Sequence, residues 1–421
     1  MLDINFIREN LDAVKAGARK KHIEVDLDKL IEFDDKRRAL LQSIEEKRAK
    51  QNEVSKKVAS ASDSEKISLI AEMQKLKSEL KKEEEEFKKV MQAWRELMLQ
   101  VPNIPDISVP EGKDDEENVE VKTWGDPTKF DFEPKSHIDL MLDLDMVDFE
   151  RGVKVAGFRG YFLKGDGAVL AWAVWQAAQK HFLEKGFEAL QVPSLVRKET
   201  LMGTGYLPGG EDDLYKTQDD MYLAGTGEVA TMAYFMDEVL AKEDLPKKFL
   251  AFSPCFRREA GSHGKDTKGL IRVHEFFKWE QVVLCEASHE ESVRWHEWIN
   301  RNTEEFVEKL GIPYRTVVNC GGDLGLGQVK KYDIELWVPS ENKYREISSA
   351  SYFHDFQTRR LNIRYKDGDK LRFVHSLNST AAPTPRFLVS IVENNQQADG
   401  SIKIPEILQP FMGKDVIKKD T

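Results

Sequence analysis

Residues Leu27 to Val101 contain no Gly and no Pro and are rich in Lys, Glu, Leu and Ala, a composition that leaves long helix as the main option. In the second half of this stretch a seam steps alternately by four and three: Leu69, Met73, Leu76, Leu80, Glu83, Phe87, Val90, Trp94, Leu97, Val101, with Glu83 the one interruption. The first half carries a weaker seam: Leu30, Phe33, Arg37, Leu40, Ile44, Lys47, Gln51, Val54, Val58. Between them Ser60 to Glu65 is a turn, and Ser62 with Glu65 has capping-box spacing. Two long helices joined by so short a turn predict an antiparallel coiled coil. At 1.5 Å per residue, a helix of about 33 residues reaches roughly 50 Å, which predicts a projecting arm. The polar positions Arg37, Lys47 and Gln51 are equally compatible with tolerated defects and with a functional role.

Val101-Pro102-Asn103-Ile104-Pro105 ends the second helix, and the acidic segment Glu111 to Glu117 has the character of a surface linker. The expected division is an arm over 1–105, a linker over 106–120 and a larger domain over 121–421. In that domain Ala168 to Lys185 predicts a helix closed by Gly186. Strands are expected at Glu188–Val192, Met221–Leu223, Lys248–Ser253, Gln281–Cys285, Tyr314–Val318, Tyr332–Val338 and Lys343–Ser348. Helices are expected at Glu228–Leu240, Glu290–Leu310 and Arg386–Asn395. Strands clustered in this way predict an antiparallel α+β sheet rather than a doubly wound one.

A chain of 421 residues is long enough for two or three domains, and its net charge of −11 argues against a general nucleic-acid coat. The charge is uneven: 22 Lys and Arg against 21 Asp and Glu leave residues 1–100 at +1, so the remainder carries −12. A polyanion is therefore repelled least by the arm. No run of 18 apolar residues exists, and the opening MLDINFIREN has no apolar core, so neither a membrane span nor a secretory signal is expected. Cys255, Cys285 and Cys320 form no CxxC pair or disulfide framework, which fits a reducing cytoplasm.

The candidate chemistry lies in four segments. In Phe252 to Glu280, Arg257 and Glu259 are one residue apart, which on a strand puts both on one face. A second strand is expected over Val273–Glu280. Between them a polar loop, Gly261 to Gly269, holds Lys265 and Lys268, with Arg272 beyond it. A fixed Arg with a covering loop suits a phosphate ligand, although a solvated hairpin has the same look. Thr226 and Glu228, ahead of a helix, suit an ammonium or hydroxyl ligand and equally suit N-capping. Glu346, Ser348 and Ser349 at a strand end offer oxygen ligands for Mg²⁺. Leu377 to Arg386 leads into a helix with an Arg at its positive end, a candidate anion site or an ordinary Pro-rich turn. Gly203 to Gly209 and Gly325 to Gly327 lack the strand and helix of a dinucleotide fingerprint. Cys255 with His263 is too thin for zinc, no HxxxH occurs, and no Gly-x-Ser-x-Gly elbow is present.

In this order and behind this arm, the segments resemble bacterial-type seryl-tRNA synthetases, members of the class II aminoacyl-tRNA synthetases. The likeness runs over essentially the whole chain. It includes MLDINFIREN, VDFERGVKVAGFRGYFLKG (147–165), TGYLPGGEDDLYKT (204–217) and PCFRREAGSHGKDTKGLIRVHEFFKWE (254–280). It continues through YDIELWVPSENKYREISSASYFHDFQTRRLNIRY (332–365), LNSTAAPTPRFLVSIVENNQ (377–396) and IPEILQPFMG (404–413). The resemblance implies an antiparallel catalytic sheet of six or seven strands flanked by helices, in a homodimer with Pro193 at its interface. It makes Arg257 and Arg386 catalytic, on the α- and γ-phosphates of ATP. Thr226, Glu228, Arg257, Glu280, Asn378 and Thr380 form the serine pocket. Arg257, Arg258, Glu259, Phe276, Glu346, Ile347, Ser348, Ser349 and Arg386 form the ATP site, with Mg²⁺ on Glu346 and Ser349. The implied activity is ATP-dependent activation of L-serine to seryl-adenylate, then transfer to serine tRNA (and to selenocysteine tRNA where one is present), with the arm as the tRNA-binding part. The chain departs from the family's usual pattern at Gly227, at Ala382-Pro383-Thr384-Pro385 and at Tyr352.

Two other readings are open to the sequence. A paralogue that loads a carrier protein shares the core but lacks the long arm. A non-catalytic RNA-binding protein shares the arm but has no use for Arg257, Glu259, Glu280, Glu346 and Arg386.

Overall fold

A computed structural model describes residues 1–261, 264 and 266–419. Lys265 of the expected loop cations, and His263, weighed above as a partner of Cys255, lie outside the described residues. The chain forms two compact units, one of residues 2–19 and 23–102, the other of residues 1, 20–22 and 103–421.

The first unit is built on helix α1 (Leu27–Ser60, 34 residues) and helix α2 (Asp63–Gln100, 38 residues). Asp26 caps α1 by accepting from the Lys29 amide at 2.9 Å. At α2 the expected box is present: Glu65 accepts from the Ser62 amide at 3.0 Å and from its hydroxyl at 2.6 Å. Every seam position named above is buried or half-buried. The interruptions answer one another across the pair. Lys47 Nζ meets Glu83 Oε1 at 2.5 Å, and Ser43 Oγ donates to the other Glu83 oxygen at 3.0 Å. The Arg37 guanidinium lies 5.1 Å from the Trp94 ring and 2.8 Å from the buried Asp34. A seam that is polar on both sides at one level specifies register, because a slip would leave both charges facing apolar neighbours.

The second unit is organised by one eight-stranded sheet. Its strands are β1 (Val119–Trp124), β2 (Glu188–Gln191), β3 (Lys247–Phe256), β4 (Glu275–Cys285), β5 (Tyr314–Val318), β6 (Lys330–Val338), β7 (Lys343–Tyr352) and β8 (His375–Thr384). Their spatial order is β1-β5-β6-β7-β8-β4-β3-β2. All neighbours are antiparallel except β2 on β3. The eighth strand beyond the expected six or seven is the β1 edge, whose VEVKTW sequence alternates while remaining largely exposed.

Helices α3 (Asp166–Glu184), α6 (His289–Leu310) and α8 (Arg386–Asn394) supply apolar side chains to the main core on one sheet face. Trp279, Val283 and Cys285 of β4 point into that core. The alternate residues Phe276, Lys278, Glu280, Val282 and Leu284 take the other face by the period of two. There Val282 and Leu284 join a smaller core with Met232, Ile363 and Tyr365. That leaves Lys278 and Glu280 at the open part of the face.

Two expectations fail locally. The helix expected over Glu228–Leu240 is only α5 (Glu228–Met232), with a short helix α4 (Lys198–Thr204) before it in the chain. After α5, a 3-10 turn (Ala233–Phe235) and a left-handed Asp237 (φ 66°) lead into strand Val239–Ala241. Arg257 and Glu259 do not share a strand face, because β3 ends at Phe256 and Glu259 is left-handed (φ 55°). The chain turns there and re-aims both side chains.

Candidate active site

Two β-bulges set the geometry of the site. Between β6 and β7 the register jumps, so that Glu335 faces Glu346 while Ile334 faces Ser348. The extra residue is Ile347, and it shifts the alternation by one. Glu346, Ser349 and Ser351 therefore share the open face although three and two residues separate them. Between β4 and β8, Trp279 faces Ala382 and Glu280 faces Thr380, with Ala381 extra. This puts Asn378, Thr380 and Pro383 on the same face as Lys278 and Glu280.

A cavity of about 250 Å³ opens there, lined by Thr226, Glu228, Arg257, Lys278, Glu280, Glu346, Ser349, Asn378 and Thr380 among others. All six residues of the expected serine pocket are thus in one place. Glu280, 1% exposed, is its centre. It is ion-paired with Lys278, and accepts from Thr226 Oγ1 and from Asn378 Nδ2, each at 3.3 Å. Thr380 Oγ1 stands 3.5 Å from the same carboxylate. The Thr226 hydroxyl also accepts from the Glu228 amide at 3.2 Å, so it satisfies the first amide of α5 and lines the cavity at once.

Glu228 accepts from Tyr206 Oη at 2.9 Å and from Gln357 Nε2 at 2.6 Å. Burial, then the neighbouring Glu280 charge, pushes its carboxyl up to about 7, against the opposing hydrogen bonds from Gln357 and Tyr206 and the Lys278 charge. With Lys278 paired to Glu280, Glu228 and Arg257 leave one carboxylate and one cation in the lining, which match a zwitterion in number and sign.

A second cavity, about 50 Å³, adjoins the first and shares Arg257, Lys278, Glu346 and Thr380 with it; Glu259, Phe276, Ile347, Pro383 and Arg386 complete much of its wall. The Arg257 guanidinium lies 5.2 Å from the Phe276 ring. Glu259 is held by Arg272 Nη1 at 2.6 Å. Arg386 opens α8 and donates from Nε to the Ile271 carbonyl at 3.0 Å and from Nη1 to the Glu346 carbonyl at 2.7 Å. Its Nη1 lies 3.5 Å from the Glu346 carboxylate. Burial opposes ionisation of Glu346, yet Arg386, Lys331 and Arg257 outweigh it and hold the carboxyl below its ordinary range.

Three residues of the expected ATP set are placed differently: Ser349 lines the first cavity and not the second, and two others line neither. Ser348 is buried, and its hydroxyl donates to the Thr380 carbonyl at 2.5 Å, tying β7 to β8. The bulge turns it to the face opposite Glu346. Arg258 is exposed and lines neither cavity; its amide donates to the Asp213 carbonyl at 3.0 Å. Pro193 lies just past β2, exposed, in a groove with Leu195 and Tyr234.

Sequence reasoning missed Lys278, Tyr206 and Gln357. Lys278 had a legible signal, since it stands two residues before Glu280 and must share its face. Gln357, in helix α7 (Phe356–Leu361), had none.

An antiparallel sheet carrying an Arg at the end of one strand, oxygen donors on a bulged strand and a second Arg opening the following helix defines a class II aminoacyl-tRNA synthetase core. A family model described as the class II tRNA synthetase core domain (G, H, P, S and T) matches residues 212–395, and one described as the seryl-tRNA synthetase N-terminal domain matches residues 1–105. The chain belongs to the seryl-tRNA synthetase family. The serine–tRNA ligase of Deinococcus radiodurans is 45% identical over 415 residues, covering 98% of each chain. The seryl-tRNA synthetase of Pyrococcus horikoshii, solved with ATP, is 37% identical with a TM-score of 0.92 over 100% of both chains. A cytoplasmic serine–tRNA ligase from Naegleria fowleri, solved with AMP, is 34% identical with a TM-score of 0.89, covering 100% of this chain and 99% of that one.

Proposed function

We propose that the chain is an ATP-dependent serine–tRNA ligase. The observation that carries this reading is the joining of two cavities through Arg257, one lined by Glu228, Glu280, Thr226 and Thr380, the other by Phe276, Glu259 and Arg386. Serine enters the first with its ammonium toward Glu228 and its hydroxyl toward Glu280. Its carboxylate faces Arg257. ATP occupies the second, with the base against Phe276 and the terminal phosphate toward Arg386. The serine carboxylate oxygen attacks the α-phosphorus; a new O–P bond forms, the bond to the β-phosphate oxygen breaks, and pyrophosphate leaves. The terminal ribose hydroxyl of tRNA then attacks the seryl carbonyl and releases AMP. The residues align reactants and offset phosphate charge, so no side-chain nucleophile is needed.

Glu346 and Ser349 fit Mg²⁺, because both present oxygen on one face of the bulged strand and Arg386 keeps the carboxyl ionised. Mg²⁺ bound there supplies further neutralisation of phosphate charge. Serine is preferred over alanine because Glu280 is left without its hydroxyl partner when alanine binds. Threonine is excluded by the space around its extra methyl.

In this reading the arm, residues 1–105, binds tRNA, residues 106–120 are the linker, and residues 121–421 are catalytic. The active form is a homodimer. An open groove of about 560 Å³ with exposed Phe158, Phe162 and Trp172 offers apolar area for such an interface. The three buried free thiols suit a cytoplasmic location, and no helix among the described residues is long and apolar enough to cross a membrane. Charging of a serine tRNA transcript with radiolabelled serine tests the reading: ATP-dependent, chelator-sensitive acylation is expected, and acylation with serine that needs no ATP contradicts it.

A further inference from the structure

Glu228 is 2% exposed and takes hydrogen bonds from two side-chain donors, Gln357 and Tyr206. Gln357, 1% exposed, donates from Nε2 to Glu228 Oε1 at 2.6 Å and to the Thr204 carbonyl at 3.3 Å. Both partners only accept, so the amide nitrogen must face them. The amide oxygen accepts from the Ser376 hydroxyl at 2.8 Å, which fixes the other end. Tyr206 Oη donates to the second oxygen, Glu228 Oε2, at 2.9 Å. The carboxylate is thereby pinned from β8, through α7, and from the turn after α4.

We propose that Gln357 and Tyr206 are positioning residues that fix Glu228 as the anionic partner of the serine ammonium, an inference that rests on reading Glu228 as the amine-binding carboxylate. Donors at 2.6 and 2.9 Å favour the ionised form over the protonated one. They act against burial and against Glu280, 1% exposed on β4. Other charges on the surrounding elements are Lys278 on β4 and Arg257 beyond β3. Lys278 is already ion-paired with Glu280, and Arg257 is claimed by the carboxylate and phosphate ends of the substrates. The two neutral donors are therefore what remains to hold the charge on Glu228.

The test is serine-dependent ATP–pyrophosphate exchange from pH 6 to 9 in the full chain, its Gln357→Met variant and its Tyr206→Phe variant. Tyr206→Phe deletes one hydroxyl from a partly exposed side chain and gives the answer even if Gln357→Met fails to fold. In the unsubstituted chain the serine KM is expected to climb as pH falls through about 7. Below the pKa the ionised fraction falls tenfold per pH unit, so a variant shifted by one unit has a KM raised about tenfold near pH 6. At pH 9 its KM returns to within about threefold of the unsubstituted chain, and the ATP KM and the kcat at saturating serine change by no more than about threefold. Parallel pH profiles, or kcat and both KM values worsening together at every pH, overturn the inference while leaving the ligase reading intact. Absence of serine-dependent exchange in the unsubstituted chain overturns both.

Discussion

Arg257→Ala is expected to lower kcat/KM for serine-dependent ATP–pyrophosphate exchange by at least about a hundredfold, corresponding to about 3 kcal/mol of lost transition-state stabilisation. Arg257 lines both cavities, as does Lys278. The charge that develops as the serine carboxylate meets the α-phosphate develops where the two cavities join. Lys278 does not replace it, being ion-paired with the buried Glu280. Arg386 does not either, since two backbone carbonyls anchor it at the far wall. The variant is expected to fold normally, because Arg257 is exposed and its guanidinium lies over the Phe276 ring rather than in a core. Near-normal exchange in a folded variant refutes the role.

The second large effect concerns the arm. Removing residues 36–89 and closing the gap with a short turn is expected to leave serine-dependent exchange within a few-fold. Charging of serine tRNA should fall by about a hundredfold or more, the scale of losing several phosphate contacts. Residues 23–102 belong to a compact unit separate from the one that holds both cavities, which is why adenylate formation survives. Residues 1–100 are also where the chain's charge is not strongly negative, at +1 against −12 for the rest. Equal loss of exchange and charging indicates a structural role for the arm instead of tRNA binding.

The arm was legible because a heptad seam is a long, redundant signal; nine apolar positions outvote Glu83. Its polar interruptions were not interpretable singly, since Lys47 and Glu83 lie 36 residues apart and make sense only as a pair. In the second unit, Tyr314–Val318 was readable from its aromatic and β-branched residues, Tyr314, Thr316, Val317 and Val318. The stretch His375–Thr384 was not, because Pro383 argues against a central strand. The structure accommodates Pro383 near the strand end, past the bulge at Ala381. Bulges also explain why Ser348 and Ser349 could not be told apart beforehand: a one-residue slip decides which hydroxyl meets the cavity. Lys278 was recoverable from its spacing to Glu280. Gln357 and Tyr206 were not, because they reach Glu228 from 129 and 22 residues away.

The most direct measurement is ATP–pyrophosphate exchange with serine, threonine, alanine and glycine in turn, without tRNA. Exchange with serine alone is the predicted result, because only serine satisfies Glu228 and Glu280 together without an added methyl. Exchange driven as well by alanine or threonine, or by none of the four, contradicts the assignment of the pocket.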